Sequence, residues 1–126
     1  NNGCCMSITG QKISDQISNF RFEDNASSIT LSVVEIALYA LSEIDQIKID
    51  NSINEHEVFL KIYDNATPVV GTTRPDIRLW CGAGSINYYT FVGLTTTNLQ
   101  FICSKESIHT TNTAPVGDVK VVILAH

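Results

Sequence analysis

The sequence is poor in charged side chains and has no long apolar run. Charged residues make up 17% of its 126 residues, and the formal net charge is -5. A chain with so few cations is poorly suited to bind the phosphates of nucleic acid, so we expect no nucleic-acid partner. The longest apolar stretch, VVEIALYAL, is interrupted by Glu35 and is far shorter than the roughly 20 residues that a membrane-spanning helix needs. We therefore expect a globular domain without a membrane partner.

The cysteines do not form a metal-binding or redox motif. Cys4 and Cys5 are adjacent, and the chain has no C-x-x-C pair, which argues against a zinc ribbon or a thioredoxin-like site. Cys81 and Cys103 both lie in apolar, strand-like segments, where a free thiol behaves as a small hydrophobic side chain. We therefore expect these two thiols to be reduced and buried, in a chain that folds in a reducing cytosol. The first ten residues also lack the charged and apolar regions of a signal peptide.

A recognisable catalytic arrangement is missing as well. No serine lies in a G-x-S-x-G motif, and the chain has three histidines, His56, His109 and His126. His56 stands between two glutamates just before a strand-like segment, where neighbouring side chains point to opposite faces and would not act together. The sequence therefore predicts a protein that is not an enzyme and that needs no metal or cofactor.

Acidic residues are concentrated between positions 43 and 57. They are Glu43, Asp45, Asp50, Glu55 and Glu57. Two carboxylates could act as acid and base on a sugar, as in glycosidases, but the sequence does not give their separation. A charged outer face that prevents edge-to-edge pairing of a β-protein is the simpler interpretation. The loop aspartates Asp64, Asp76 and Asp118 offer oxygen ligands, but without the spacing of a calcium-binding loop.

What the chain has in quantity is alternation of apolar and polar side chains from residue 57 onward. In EVFLKIY, for example, Val58, Leu60 and Ile62 share one face, and Phe59, Lys61 and Tyr63 share the other. The segments with this period-two or strand-like pattern are EVFLKIY, IRLWC, INYYTFV, NLQFIC and VKVVIL. Such segments are typical of half-buried antiparallel strands. With the turn-rich connectors between them, they predict an all-β, jelly-roll-like antiparallel β-sandwich over residues 28–126.

Some details of this sandwich stay open. GAGS, at residues 82–85, is short enough for a hairpin, whereas DNATPVVGTTRPD and HTTNTAPVGD are long and rich in turn residues. ITLSVV and IKID alternate as strands do. EIALYALSEI, between them, could be a strand or a helix, because Ala, Leu and Glu favour the helical state.

Residues 1–27 are mixed and polar, and we interpret them as an N-terminal arm and linker. Ile13, Ile17 and Phe20 have the spacing of one helical face, which suggests a short amphipathic segment that needs a partner surface. The following RFEDNASS has the composition of a flexible linker. The apolar stripe could fold back onto the chain's own sandwich or bind a neighbouring subunit. Because of the polar surroundings and the linker, we predict that Ile13, Ile17 and Phe20 bind a neighbouring subunit.

Aromatic side chains are concentrated in the middle of the chain, at Trp80, Tyr88, Tyr89 and Phe91. Such residues usually fill the core of a small sandwich, although exposed ones can stack on sugar rings or anchor an interface. Because Tyr88 and Tyr89 are adjacent on a predicted strand, they must point to opposite faces. At least one of them is therefore expected to face solvent or a partner.

IDNSINEHEVFLKIYDNATPVVGTTRPDI, residues 49–77, resembles a module of tailed-bacteriophage virion proteins. In that module an Asn-rich turn leads into a strand similar to vyLKlYd, and a loop similar to ptvGtt.P leads to a further short strand. FVGL and TTNTAPVGDVKVVIL resemble later parts of the same module, so that the likeness covers about residues 47–125. Two departures are the bulky INYYTF after GAGS and the first 27 residues, which match no part of the module.

The resemblance implies a non-enzymatic β-sandwich of a virus particle, assembled in the host cytoplasm. Its first expectation is a homo-oligomeric capsid cement or decoration protein that binds the major capsid protein or other virion proteins. A tail, neck or fibre component that contacts a host receptor is the alternative within the particle. A carbohydrate-binding module with Trp80, Tyr88 or Tyr89 as platform is a different class of function that the residues leave open.

Overall fold

The structure, a computed structural model, describes residues 20–26, 29–34 and 43–126. The described residues form eight strands. They are β1 (Phe20–Asn25), β2 (Ser32–Val34), β3 (Glu43–Asp50), β4 (Val58–Asp64), β5 (Ile77–Cys81), β6 (Ile86–Thr95), β7 (Leu99–Ser104) and β8 (Lys120–Ala125). The first sheet has the order β1-β8-β3-β6, and the second has the order β2-β7-β4-β5.

The pairing of these strands follows a simple rule. β1 pairs with β8, β2 with β7, β3 with β6 and β4 with β5, all antiparallel, as if the chain had first been folded into one long hairpin. The ladders β3–β8 and β4–β7 then arise when that hairpin is rolled into two facing sheets. This arrangement is a jelly roll. The predicted antiparallel, jelly-roll-like β-sandwich is therefore confirmed.

The core lies between the two sheets and follows the predicted alternation. Val58, Leu60 and Ile62 of β4 point into it and are at most 2% exposed. Phe101 of β7 meets Phe22 of β1 edge to face across the sandwich, with ring centroids 6.1 Å apart. A fully buried side chain of this size stabilises the fold by about 1.5–3 kcal/mol, so the two inner faces supply the main driving force for folding.

Strand β1 corrects the prediction of a flexible linker. Phe20–Asn25 pairs with β8 along its whole length, from Phe20 opposite Ala125 to Asn25 opposite Lys120. Phe20 therefore begins a strand and does not extend a helical face. Of the charged residues that suggested a linker, Arg21 and Glu23 are exposed, and Glu23 contacts both Arg21 and Lys120. Asp24 is half-buried and accepts a hydrogen bond from the Ser32 hydroxyl.

The GAGS segment does not make a hairpin ladder. Residues 82–85 connect β5 in the second sheet to β6 in the first sheet, and these two strands do not pair with each other. The turn itself is tight, because the Ser85 amide donates to the Gly82 carbonyl at 3.3 Å and Gly84 has a φ of +65°. A connector this short can either join two paired strands or carry the chain from one sheet to the other. The local sequence does not distinguish these two cases.

Between residues 29 and 50 the predictions are met in part. ITLSVV contributes the short strand Ser32–Val34, and IKID is the second half of β3. Most of EIALYALSEI, at positions 35–42, lies outside the described residues. No helix in the described part of the chain is long and apolar enough to cross a membrane.

Cys81 and Cys103 are free and fully buried, as the sequence predicted. Burial raises the pKa of Cys103 to about 12 and also raises the pKa of Cys81, so neither thiol ionises readily in the native protein. We therefore expect both to react slowly with iodoacetamide at pH 8 and rapidly after unfolding in guanidinium chloride. Mass spectrometry of the separate peptides measures each thiol without interference from Cys4 and Cys5. A disulfide-linked peptide containing Cys81 or Cys103 from the native protein contradicts this prediction.

Candidate binding surface

The outer face of the second sheet carries a fully buried lysine. Lys61 points away from the core, yet it is 0% exposed because the segment after β7 covers it. Its Nζ donates to the carbonyl oxygens of Ile108 at 2.7 Å and Thr111 at 3.2 Å, and to Asn112 Oδ1 at 2.7 Å. Burial lowers the pKa of Lys61, and the nearby Glu106 carboxylate opposes this shift. Three oxygen atoms thus replace the water that the ammonium group has lost.

The covering segment, residues 104–113, is also tied to itself. Glu106 Oε1 accepts hydrogen bonds from the Ser104 hydroxyl at 3.0 Å and the Thr113 amide at 2.8 Å. Partial burial by itself would raise the pKa of Glu106, but these hydrogen bonds outweigh it and the pKa is lowered. The Lys105 amide donates to the Thr113 carbonyl at 3.0 Å, which closes the segment at its base. We call residues 104–113 the cover loop.

A second set of buried polar contacts fixes the loops at one end of the sandwich. Asn51 Nδ2 donates to the carbonyls of His56 at 2.8 Å and Gly82 at 3.0 Å. Asn54 Nδ2 donates to Asn51 Oδ1 at 2.8 Å and to the Gly117 carbonyl at 3.1 Å, while Asn54 Oδ1 accepts from the Gly117 amide at 2.7 Å. Both asparagines are at most 4% exposed. They therefore hold together three connectors that are far apart in the sequence.

Gly117 and His56 complete this junction. A Cβ atom at Gly117 would come within 2.9 Å of Ile53 Cδ1 and 3.0 Å of Asn54 Oδ1, so a larger residue would push the connectors apart. His56 Nε2 accepts a hydrogen bond from the Val116 amide at 3.2 Å. The histidine that stood out between two glutamates thus bridges two loops.

Exposed aromatic and cationic side chains lie beside the cover loop on β5. Trp80 is 49% exposed, and its Nε1 donates to Glu57 Oε1 at 2.9 Å. Arg78 lies on the same side of the strand, and its Nη1 donates to the Ser107 carbonyl of the cover loop at 2.9 Å. Together with Phe59, the cross-strand neighbour of Trp80, they border a shallow hollow of about 300 Å³. We call Phe59, Arg78, Trp80 and Ser107 the indole–arginine surface.

The outer face of the first sheet carries a different exposed group. Ile86, Tyr88 and Val92 of β6 are 44%, 59% and 100% exposed. They lie on one face of the strand, with the exposed Thr90 between Tyr88 and Val92, and the row is about 20 Å long. Lys48 on the neighbouring strand places its Nζ 5.8 Å from the centre of the Tyr88 ring. We call Ile86, Tyr88 and Val92 the β6 row.

The two adjacent tyrosines point in opposite directions, as predicted. Tyr88 belongs to the exposed β6 row, whereas Tyr89 packs against the core together with Phe91. The Tyr89 hydroxyl donates to the Trp80 carbonyl and so ties the edges of the two sheets together. The central aromatics are thus divided between core and surface.

The acidic residues between positions 43 and 57 do not all meet in one place. Glu43 and Asp45 both lie near His126 at the start of β3, with Asp45 Oδ1 2.7 Å from His126 Nδ1. Glu57 contacts Trp80 beyond the other end of that strand. The length of β3 places Glu57 about 20 Å from Glu43 and Asp45, whereas the two catalytic carboxyl groups of a glycosidase are about 5–10 Å apart.

Two of the three loop aspartates close turns. Asp64 Oδ1 accepts hydrogen bonds from the amides of Thr97 and Asn98, and Asp76 Oδ2 accepts one from the Asp64 amide. Within the described residues, no group of three or more His, Cys, Asp or Glu side chains could hold a metal ion. These carboxylates have a structural use in the fold.

Of the predicted partner-binding residues, Ile13 and Ile17 lie outside the described residues, and Phe20 begins β1. The sequence pattern did not single out Lys61 or Arg78 as functional residues. The alternation of side chains placed both on the outer face. The residues near them in sequence did not show that the cover loop would bury Lys61 and lie beside Arg78. An isolated lysine within an otherwise apolar strand was the available signal.

Comparison of the chain with protein-family models, with curated proteins and with solved structures finds no match.

Replacing Lys61 should release the cover loop. Lys61→Met keeps an apolar stem but leaves three buried oxygen atoms without their donor, which should destabilise the protein by about 2–4 kcal/mol. The melting temperature of the protein should then fall by about 10 °C. Hydrogen exchange should quicken at residues 105–113. Lys48→Met, on the other sheet, is the matched control and should have little effect, and equal losses in the two variants would contradict this role for Lys61.

Tyr63, which is also on the outer face of β4, should behave differently. Its side chain is fully buried, and among the described residues its hydroxyl has no hydrogen-bond partner. Tyr63→Phe removes this unpaired group without opening a cavity, so we expect an unchanged or slightly raised melting temperature. A loss of more than about 1 kcal/mol in urea unfolding would show that the hydroxyl is paired in solution.

Proposed function

We propose that this protein is a structural protein of a tailed-bacteriophage particle, and that it serves as a cement or decoration protein on the capsid. The observation that carries the proposal is the jelly-roll strand order, in which all four hairpin pairs are formed. Viral capsid domains commonly use this fold. This support is an analogy at the level of the fold, which other functions share.

The residues that resemble the virion module support the same proposal, because they occupy architectural positions. The Lys61 of LKIYD holds the cover loop, and its Asp64 caps the turn before β7. The Asn-rich turn at one end of the module contacts Gly117 of the PVGD segment, 63 residues away from Asn54. A module whose polar residues hold loops in place is suited to assembly.

The β6 row is the surface that we assign to the capsid. Large apolar side chains that are exposed on one face of a strand, here with Thr90 between Tyr88 and Val92, are typical of a protein interface. Among the described strands, β6 also lies at an edge of the first sheet, so that a partner could approach both its side chains and its outer edge. The arm residues Ile13 and Ile17 would add a second attachment, either to the capsid or to a neighbouring copy in a homo-oligomer.

Retention on particles tests both attachments. Val92→Lys replaces a fully exposed apolar side chain with a charge, so it should weaken binding without affecting the fold. A chain that starts at Asn19 loses the arm but keeps β1, and it should also fold and bind less well. Each buried apolar side chain contributes about 1.5–3 kcal/mol, so each change should lower retention on purified particles at least about tenfold.

Val116→Lys is the matched control, because Val116 is 82% exposed but lies in the connector before β8. It should leave retention unchanged. Imaging of labelled particles gives the location directly. Label on the tail, neck or fibres would support the alternative place within the particle, and absence of the protein from purified particles would refute the proposal.

A further inference from the structure

Trp80 is exposed and yet held in a fixed position. Its indole N–H is bound to Glu57 at 2.9 Å, and its six-membered ring lies over Gly82, where a Cβ atom would be 3.1 Å from ring atom Cζ2. Phe59 supports it as the cross-strand neighbour. A large aromatic face that is half exposed and restrained at both ends is a preorganised platform, so a ligand loses little by ordering it.

Cationic groups are grouped beside this platform. Arg78 lies two residues before Trp80 on the same face, about 7 Å away along the strand. It borders both the hollow of about 300 Å³ at Trp80 and a smaller one of about 80 Å³ lined by Arg74, Pro75 and His109. Two of the three arginines of the chain therefore meet here, in a protein whose net charge is -5.

Arg78 is also preorganised. Its bond to the Ser107 carbonyl uses one of the five N–H donors of the guanidinium group and fixes its direction. The planar arrangement of these donors matches a carboxylate, which accepts two parallel hydrogen bonds. The carboxylate of Glu57, in contrast, lies at the indole N–H of Trp80, where it could accept hydrogen bonds from hydroxyl groups.

We propose that the indole–arginine surface binds a carbohydrate that carries a carboxylate, such as a chain of uronic or sialic acids. The apolar face of one sugar ring stacks on Trp80, and its carboxylate or that of the next sugar reaches Arg78. Arg74 and His109 continue the site along the sugar chain. The surface lies on the face of the sandwich opposite the β6 row, so this site is independent of the proposed attachment to a capsid.

The combination of groups favours an acidic sugar over related ligands. A neutral sugar would use the platform but would give the remaining N–H donors of Arg78 no charged partner. A nucleotide could stack its base on Trp80 and place its phosphate at Arg78, but a phosphate concentrates nearly two negative charges at one point of an acidic protein, close to Glu57. A chain of acidic sugars carries one charge on each ring, so its carboxylates can be divided between Arg78 and Arg74, and its hydroxyl groups can bond to Glu57.

Fluorescence titration of the whole chain tests the site, because Trp80 is its only tryptophan. Trigalacturonate and an α2,8-linked sialic acid trimer are the acidic probes, and maltotriose is the neutral one. We expect at least one acidic probe to shift the emission with a dissociation constant of about 1 mM or below at low ionic strength. Maltotriose should bind at least about ten times more weakly. The tighter of the two acidic probes identifies the type of sugar.

Arg78→Gln should weaken binding of the acidic probe about tenfold and leave maltotriose unaffected. Arg21→Gln, on the other sheet, is the matched control and should change neither. Trp80→Ala should abolish binding of the acidic probe in titration calorimetry, with an unchanged far-UV circular dichroism spectrum. Equal affinity for maltotriose, tighter binding of uridine monophosphate, or equal effects of the two arginine variants would overturn the proposal.

Discussion

A single buried ammonium group determines how the outer face of the second sheet is built. Lys61 lies on a strand whose opposite face fills the core, and its charge cannot be left without hydrogen bonds under a covering loop. The cover loop therefore has to present three oxygen atoms to one point, which restricts it to very few conformations. That conformation in turn brings Ser107 to Arg78 and His109 to the edge of the same surface. The indole–arginine surface thus depends on a contact that lies beneath it.

The contacts of Asn51 and Asn54 at the end of the sandwich also depend on the need of buried polar groups for hydrogen-bond partners, but here the groups are neutral. Asn51 and Asn54 satisfy backbone groups of connectors that would otherwise be buried without partners. Together with the cover loop, this junction makes most of the long connectors part of the rigid body. A protein with such loops can offer fixed shapes to a partner, which suits both a surface-bound virion protein and a site for a sugar chain.

Sequence patterns predicted the sandwich well wherever the residues of one strand are enough to show which of its faces is buried. The alternation in β4 and β7 placed each apolar residue on the core side, because a period of two has only two solutions. It could not show that Lys61 is buried, since the residues that cover it lie about fifty positions later. β1 looked like a linker because Phe22, which packs against the core, has the exposed charged residues Arg21 and Glu23 as its neighbours. GAGS looked like a hairpin because its length does not reveal that the chain changes sheets.

The antiparallel pairing of β1 with β8 has a mechanical consequence. Phe20 lies opposite Ala125, so the beginning of the first described strand and the end of the last are neighbours at the same end of the sheet. A force that pulls these two points apart acts on the hydrogen bonds of this ladder one after another, in the manner of a zipper. The edge strand would peel away under a small load while the remaining jelly roll stays closed. A protein that is tethered through both of these ends would therefore extend first at the β1–β8 ladder. A load applied through the broad face of either sheet would instead be shared across many hydrogen bonds.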